Sequence, residues 1–504
     1  MATLPLIKRA VATIPRPSCL LFSSHLSRLS HRGGLHASAT YSTASKSGGS
    51  SERGKEGEGG GEREVKISTA GLETVSTSYF DSLPDEHKKE FETPTPLAEE
   101  LLDRIKVDGP ITVADYMRAA LAHPRHGYYM KRDVFGKQGD FITSPEVSPM
   151  FGEMIGVWGV NAYKMSGSPS RMRVVEIGAG RGTLSEDILR TVGQFADTST
   201  SISMHIVDIS PALRSIQSKR LTGKEEVKIG EQTRTKSGVP ITWHTDFSDV
   251  PDDGPIFVVC QELFDAMPIH QFEKVNGKWY ERLVDDSVHA ADQALIRGVQ
   301  LDEDTAFPKG LDGKKTLFNF VRANTPFVNA LLPRIRVRPE QTFVEVSPES
   351  WQLAGDIGKR IDKKGGAALF IDYGRDATPA LTLRGIRSHK HVHPLEKPGE
   401  TDVSAYVDFA ALKSFANVGT AKAVGSVSQR DFLLELGMNF RLDALIAANP
   451  SMKEELQFGY DRLVGTDVAD FGTTFRVLSV TPASWGTPPG FTAAVHGKAM
   501  EWGA

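Results

Sequence analysis

The segment RVVEIGAGRGTLSEDILRTV, residues 173 to 192, constrains the fold more than any other. Val174 to Ile177 read as a short buried strand, Gly178, Gly180 and Gly182 as a tight turn, and Leu184, Ile188 and Leu189 as the apolar stripe of a helix. Strand, glycine turn and helix in this order build a parallel sheet, whose ligands sit at the carboxyl ends of its strands. A dinucleotide fingerprint would carry glycine at position 183, where Thr183 stands, and a phosphate-cradling loop would end in Gly-Lys-Ser/Thr, which is missing. With Glu176 two positions before the first glycine, the turn suits a ligand that brings an amino-acid group and a ribose. Glycine admits a close backbone approach, and Glu176 can meet an ammonium.

Later strands continue the pattern. SMHIVDISPALRSIQ ends its strand at Asp208, placed to accept two hydrogen bonds from ribose hydroxyls, and VPITWHTDFSDV ends at Asp246, within reach of an adenine amino group. One acid at a strand end is more often a helix cap, but three in the correct order point to one ligand. In FVVCQELFDAMPIHQF, residues 257 to 272, Phe257 to Cys260 make a fourth buried strand. Glu262 and Asp265 emerge at its carboxyl end, and His270 after the proline is a candidate proton relay or a structural residue.

Charge and length narrow the rest. A 504-residue chain of net charge -4 has no basic field of the kind that holds nucleic acid, and no apolar run reaches the roughly 18 residues of a membrane span. Cys19 and Cys260 are the only cysteines, so no disulfide framework exists. Residues 1–45 hold Lys8, Arg9, Arg16, Arg28 and Arg32 among Ser and Ala, with no acid before Glu52, which is the chemistry of a mitochondrial transit peptide. The spacer SKSGGSSERGKEGEGGGERE, residues 45 to 64, is too polar to fold, and residues 46–94 read as a disordered linker.

Order is expected from about residue 95. Helices are read from Pro96 to just before Gly109 and within ITVADYMRAALAHPRHGYY, stopped by Pro124, so 95–170 is an N-terminal helical region. FGKQGDFITSPEVSPMFGE is either a lid or a packed connector, and as a lid it would offer Asp140, Thr143, Ser144 and Glu146. Asn276-Gly277 in KVNGKWYERLV signals a hairpin. FIDYG sets Asp372 and Tyr373 at a strand end, as pocket lining or as a cap and core pair. GETDVSAYVDF reads as a helix beginning at Thr401 or Asp402. SHKHVHP spaces His389, His391 and His393 alternately without an acidic or Cys partner, and a loop fits better than a zinc site.

Together these pieces resemble the class I S-adenosylmethionine-dependent methyltransferases and, more narrowly, the MidA family. Its mitochondrial members are complex I assembly factors of the protein arginine methyltransferase type. The resemblance rests on HPRHGYYM, FGKQGDFITSPEVSPMFGE, VVEIGAGRGTL, VDISPALR, QELFDAMPIHQF, FIDYG and GETDVSAYVDF, over about residues 95 to 480. Ala179 stands where the family often has Pro, and Gln261 where it usually has Asn.

The resemblance implies an α/β fold, a Rossmann-like seven-stranded doubly wound sheet with an antiparallel last strand. It divides into a cofactor-binding half over 171–272, an insertion over 273–345 between the fourth and fifth strands, and a C-terminal half over 346–485. It further implies S-adenosyl-L-methionine as cofactor, held by Glu176, Gly178, Gly180, Gly182, Asp208 and Asp246. Glu262 and Asp265 would grip a substrate arginine, with His270 and Asp372 near it. The implied activity is symmetric dimethylation of a complex I core subunit in the mitochondrial matrix. Two other classes stay open: a methyltransferase with a different substrate, and an S-adenosylmethionine-binding assembly chaperone.

Overall fold

The computed structural model describes residues 80, 82–131, 142–195, 201–296 and 303–492. The helix Pro96–Asp108 opens on Thr95, whose hydroxyl accepts the Ala98 N–H, and closes at Gly109. After β1 (Ile111–Thr112) comes the helix Val113–Ala122, capped in the same way by Thr112. The central sheet then takes β2 (Arg171–Ile177), β3 (Ser201–Val207), β4 (Gln232–Arg234), β5 (Pro240–His244) and β6 (Ile256–Gln261). A second sheet uses β7 (His270–Val275), β8 (Lys278–Asp286), β9 (Phe318–Ala323) and β10 (Phe343–Val346) before β11 (Gly366–Arg375) returns to the centre. A small third sheet holds β12 (Arg384–Arg387), β13 (Lys390–Val392) and β14 (Asp402–Ser404). Then β15 (Val407–Asp408), β16 (Ala421–Ser428) and β17 (Phe475–Pro482) complete the first.

Central neighbours run β16-β17-β11-β6-β2-β3-β5-β4, with β15 beside β11. The five strands β5, β3, β2, β6 and β11 are parallel, and β17 is antiparallel to both β11 and β16. The expected seven strands are therefore present with two more, because β4 pairs antiparallel along the edge of β5 and β15 extends the end of β11. The strand order reverses between β2 and β6, where an open α/β sheet forms its crevice.

β6 is buried at all its positions, as an apolar run covered on both faces must be. Val258 and Cys260 pack in the layer that includes Leu353 and Ile357 of the helix Pro348–Lys364 and Leu412 of Phe409–Ala416. Phe257 and Val259 face the helices Pro149–Met165 and Thr183–Phe195. These two helices approach closely: a Cβ on Gly152 or Gly156 would lie 2.4 Å from Asp187 Cβ or 2.6 Å from Thr191 Cβ.

Three expectations change. The folded body starts before residue 95, because Phe80 and Phe91 bury their rings edge to face at 5.6 Å and Phe91 meets Phe307 of the insertion. The helix expected at Thr401 or Asp402 begins after Asp408, whose carboxylate caps the Ala411 N–H, while Asp402 starts β14. SHKHVHP includes the turn and second strand of a β12–β13 hairpin, with Arg387 opposite Lys390. The hairpin expected at Asn276-Gly277 is formed, with φ of +49° and +78° and Val275 opposite Lys278. Its sheet also takes in β1, so the insertion and the N-terminal region form one unit. Among the described residues no helix is long and apolar enough to cross a membrane.

Candidate active site

β2 delivers the glycine turn to the crevice. Gly178, Gly180 and Gly182 have φ of +74°, +55° and +77°, a conformation that residues with a Cβ rarely adopt. The Gly178 N–H donates to Val207 O at 3.0 Å, which ties the turn to β3. Glu176 is buried on β2 and accepts the Ser185 hydroxyl. Burial, with the Asp208 charge adding, pushes its carboxyl up to about 8. A ligand cation would return it to the ionised form. Glu176 lines a narrow cleft with Thr143, Gly178, Thr183, Gln261 and Glu262.

Asp208 does not face that cleft. It is fully buried, with Oδ1 accepting the Ser210 N–H at 2.8 Å and Oδ2 accepting Gln217 Nε2 at 2.9 Å. The same Gln217 amide donates to Gly180 O at 2.7 Å, so Asp208 braces the glycine turn through it. Asp246 caps the short turn Phe247–Asp249 through the N–H and hydroxyl of Ser248, at 2.8 and 2.6 Å. It lines a separate cavity of about 420 Å³ with Phe247, Gln352 and Lys359.

The acid loop follows β6 directly. Glu262 has φ of +48°, in the left-handed region that a non-glycine residue enters only when its surroundings hold it there. Its N–H donates to Ile371 O at 2.9 Å. Asp372 accepts the next three N–H groups, of Leu263, Phe264 and Asp265, on Oδ2 at 3.1, 3.0 and 3.2 Å, and the Tyr373 N–H on Oδ1. Burial raises the Asp372 carboxyl, and these N–H donors oppose the rise. Asp372 thus fastens the loop that carries the acids.

Each acid is anchored by one oxygen. Glu262 Oε1 accepts Gln261 Nε2 at 2.7 Å and the Ser144 N–H at 3.3 Å. Burial and then the Asp265 charge push it up to about 8. Asp265 Oδ2 accepts the Tyr373 hydroxyl, while its buried Oδ1 has no partner among the described residues. Burial raises Asp265, and the Tyr373 hydroxyl and the Arg384 charge pull it back. Arg384 stacks its guanidinium 4.4 Å from the Tyr373 ring centre.

The segment read as a lid or connector meets these acids. Ser144 reaches Glu262 through its N–H and Gln429 through its hydroxyl, at 3.1 Å. Glu146 is buried, and burial pushes it up to about 9 against the opposing Arg181 charge. It stands three residues after the N-cap Thr143, but no side-chain capping bond forms there and both its oxygens lack a partner among the described residues. Asp140 lies outside the described residues. His270 is drawn into the second sheet, where Nδ1 meets Glu281 Oε1 at 2.6 Å, and no hydrogen bond among the described residues links it to Glu262 or Asp265.

Sequence reasoning missed Gln217, the bond of Gln261 to Glu262, and Arg384. Gln261 carried a faint signal as a polar residue closing an apolar strand, whereas Arg384 carried none. Tyr373 was visible in FIDYG without its bond to Asp265.

A doubly wound sheet with this strand order, a glycine turn of positive φ and a buried acid beside it fit an S-adenosylmethionine-dependent methyltransferase. The family described as "Putative S-adenosyl-L-methionine-dependent methyltransferase" matches residues 154–427, and the chain belongs to it. Its cofactor is S-adenosyl-L-methionine, which the side-chain-free turn and the buried Glu176 fit.

The chain is 37% identical over 400 residues to the mitochondrial protein arginine methyltransferase NDUFAF7 of Rattus norvegicus, covering 77% of this chain and 85% of that protein. The Homo sapiens protein of that name is 36% identical over 400 residues, covering 77% and 84%. The Drosophila melanogaster homolog is 37% identical over 398 residues, covering 77% and 85%. A crystal structure described as a "likely methyl transferase from Burkholderia thailandensis bound to S-adenosyl-homocysteine" shares the fold. Its TM-score is 0.61 at 24% identity, over 80% of this chain and 98% of that one.

Proposed function

We propose that this protein methylates arginine side chains of a core subunit of respiratory complex I in the mitochondrial matrix, with symmetric dimethylarginine as the product, and so supports assembly of the complex. The observation that carries the reading is the pair of carboxylates at the end of β6. Glu262 is held through Oε1 and Asp265 through Oδ2, so Oε2 and Oδ1 are left for a ligand. The relatives' names and the basic, acid-free N-terminal 45 residues support the substrate class and the mitochondrial address.

A guanidinium stays protonated at physiological pH and is a poor nucleophile. Charge-assisted bonds from two carboxylates draw its charge toward the gripped nitrogens and leave another electron-rich. S-adenosyl-L-methionine, when bound, supplies an electrophilic methyl group. Asp372 keeps the loop rigid, so the acids are aligned before the substrate arrives. The proton that the substrate nitrogen releases passes to the Glu262 carboxylate.

The test is incubation of the purified protein with labelled S-adenosylmethionine and mitochondrial extract, followed by mass spectrometry. Dimethylarginine on a complex I subunit is expected. Label confined to another residue type, or to RNA or a small molecule, refutes the arginine assignment.

A further inference from the structure

We propose that Gln261 is the third contact of the substrate site: its amide oxygen accepts an N–H of the bound guanidinium and sets the angle at which one nitrogen meets the methyl donor. The inference rests on the arginine reading above.

Gln261 ends β6, is 5% exposed and lines the cleft beside the glycine turn. Its Nε2 lies 2.7 Å from Glu262 Oε1. With Glu262 ionised, as pairing with a guanidinium requires, that contact sets which way the amide points, since the reverse orientation would place two acceptor oxygens against each other. Oε1 is then buried with no donor among the described residues.

Among the described residues, the buried side-chain oxygens without a partner include Thr143 Oγ1 and Gln261 Oε1 in the cleft, and both Glu146 oxygens and Asp265 Oδ1 on the two segments that meet at it. Gln261, Glu262 and Asp265 repeat one design, in which one polar atom is anchored in the protein and the other is left open. Three acceptors within residues 261 to 265 match a guanidinium, which carries five N–H donors in a plane. The two carboxylates neutralise its charge, and the amide adds an acceptor without adding another charge. Losing the amide oxygen should therefore disturb alignment more than binding.

The experiment uses the full chain, labelled S-adenosylmethionine and, in recombinant form, the polypeptide that the wild-type protein labels in extract. Gln261→Met keeps the length and removes both the acceptor and the Nε2 donor to Glu262, whereas Gln261→Asn keeps an amide. For Gln261→Met, kcat should fall about 10- to 100-fold while KM for the polypeptide changes less than about 3-fold. Its calorimetric affinity for S-adenosylmethionine and its melting temperature should stay near wild type. Gln261→Asn should recover part of the lost kcat.

Wild-type turnover by Gln261→Met overturns the proposal. So does loss of turnover that merely follows lost cofactor binding or a lowered melting temperature, because the amide would then serve only to hold Glu262. Equal loss in the Met and Asn variants removes the acceptor from the explanation. If the wild-type protein itself labels no arginine, the arginine reading fails and this proposal falls with it.

Discussion

The two loops at the reversal of strand order, 178–182 and 262–265, are held in opposite ways. The first reaches positive φ at three positions and fills each with glycine. The second reaches it at Glu262, which carries a long charged side chain, and is held by Asp372 from the neighbouring β11. A loop that must let a ligand approach its backbone needs residues with no side chain there. A loop that must present a carboxylate cannot use glycine, and its strain of about 1–3 kcal/mol has to be restrained from outside. The ligand side is thus built from local composition, and the substrate side from a contact between distant segments.

Breaking the local loop should have the largest effect. Gly180→Val puts a β-branched residue at φ of +55°, and S-adenosylmethionine binding should vanish while the circular dichroism of the fold remains. Calorimetric titration at unchanged affinity contradicts this.

In the second loop, Glu262→Gln keeps the size and removes the charge. Turnover should drop roughly 10²- to 10³-fold with cofactor affinity intact. Full methylation by this variant at subsaturating substrate would remove the carboxylate grip from the mechanism, and rescue of complex I assembly by an inactive variant would favour an assembly chaperone.

Asp372→Ala strikes the restraint itself. Three loop N–H groups and that of Tyr373 lose this acceptor, so stability should fall by about 3 kcal/mol and turnover with it, while the glycine turn still binds cofactor. Thermal unfolding and titration of the same sample separate the two loops. Equal loss of cofactor affinity and turnover shows that they are not independent.

A smaller effect is expected from Tyr373→Phe, about 10-fold in kcat/KM. The hydroxyl pulls the Asp265 carboxyl down, so its removal should move the pH profile upward. Smallest is the pH dependence of the intact protein. Glu262, pushed up to about 8, is protonated below that pH and then cannot pair with a guanidinium. Hence kcat/KM for the arginine substrate should rise with pH and level off above about 8, and a flat profile from about pH 6.5 to 9 speaks against Glu262 as the pairing group.

Element order and the crevice were legible because they rest on short-range patterns. Apolar runs, the alternate glycines and the helix-opening Pro96 act within a few positions of themselves. Acids at strand ends were legible only in part. Glu176 and Glu262 line the cleft, yet Asp208 and Asp246 bond to N–H groups two residues on. Aspartate favours such local bonds, and strand-end position alone does not separate a cap from a ligand.

By itself the sequence determined a parallel sheet with a glycine turn between its first strand and helix, because backbone freedom and hydrophobic period belong to each segment. Only the tertiary structure decided how the acids are presented. Asp372 lies 107 to 109 residues from the N–H groups it binds, and Tyr373 lies 108 from Asp265. Such pairs leave no periodic trace along the chain. They form when β11 docks beside β6 and burial turns each unpaired polar group into a cost that the right neighbour must offset.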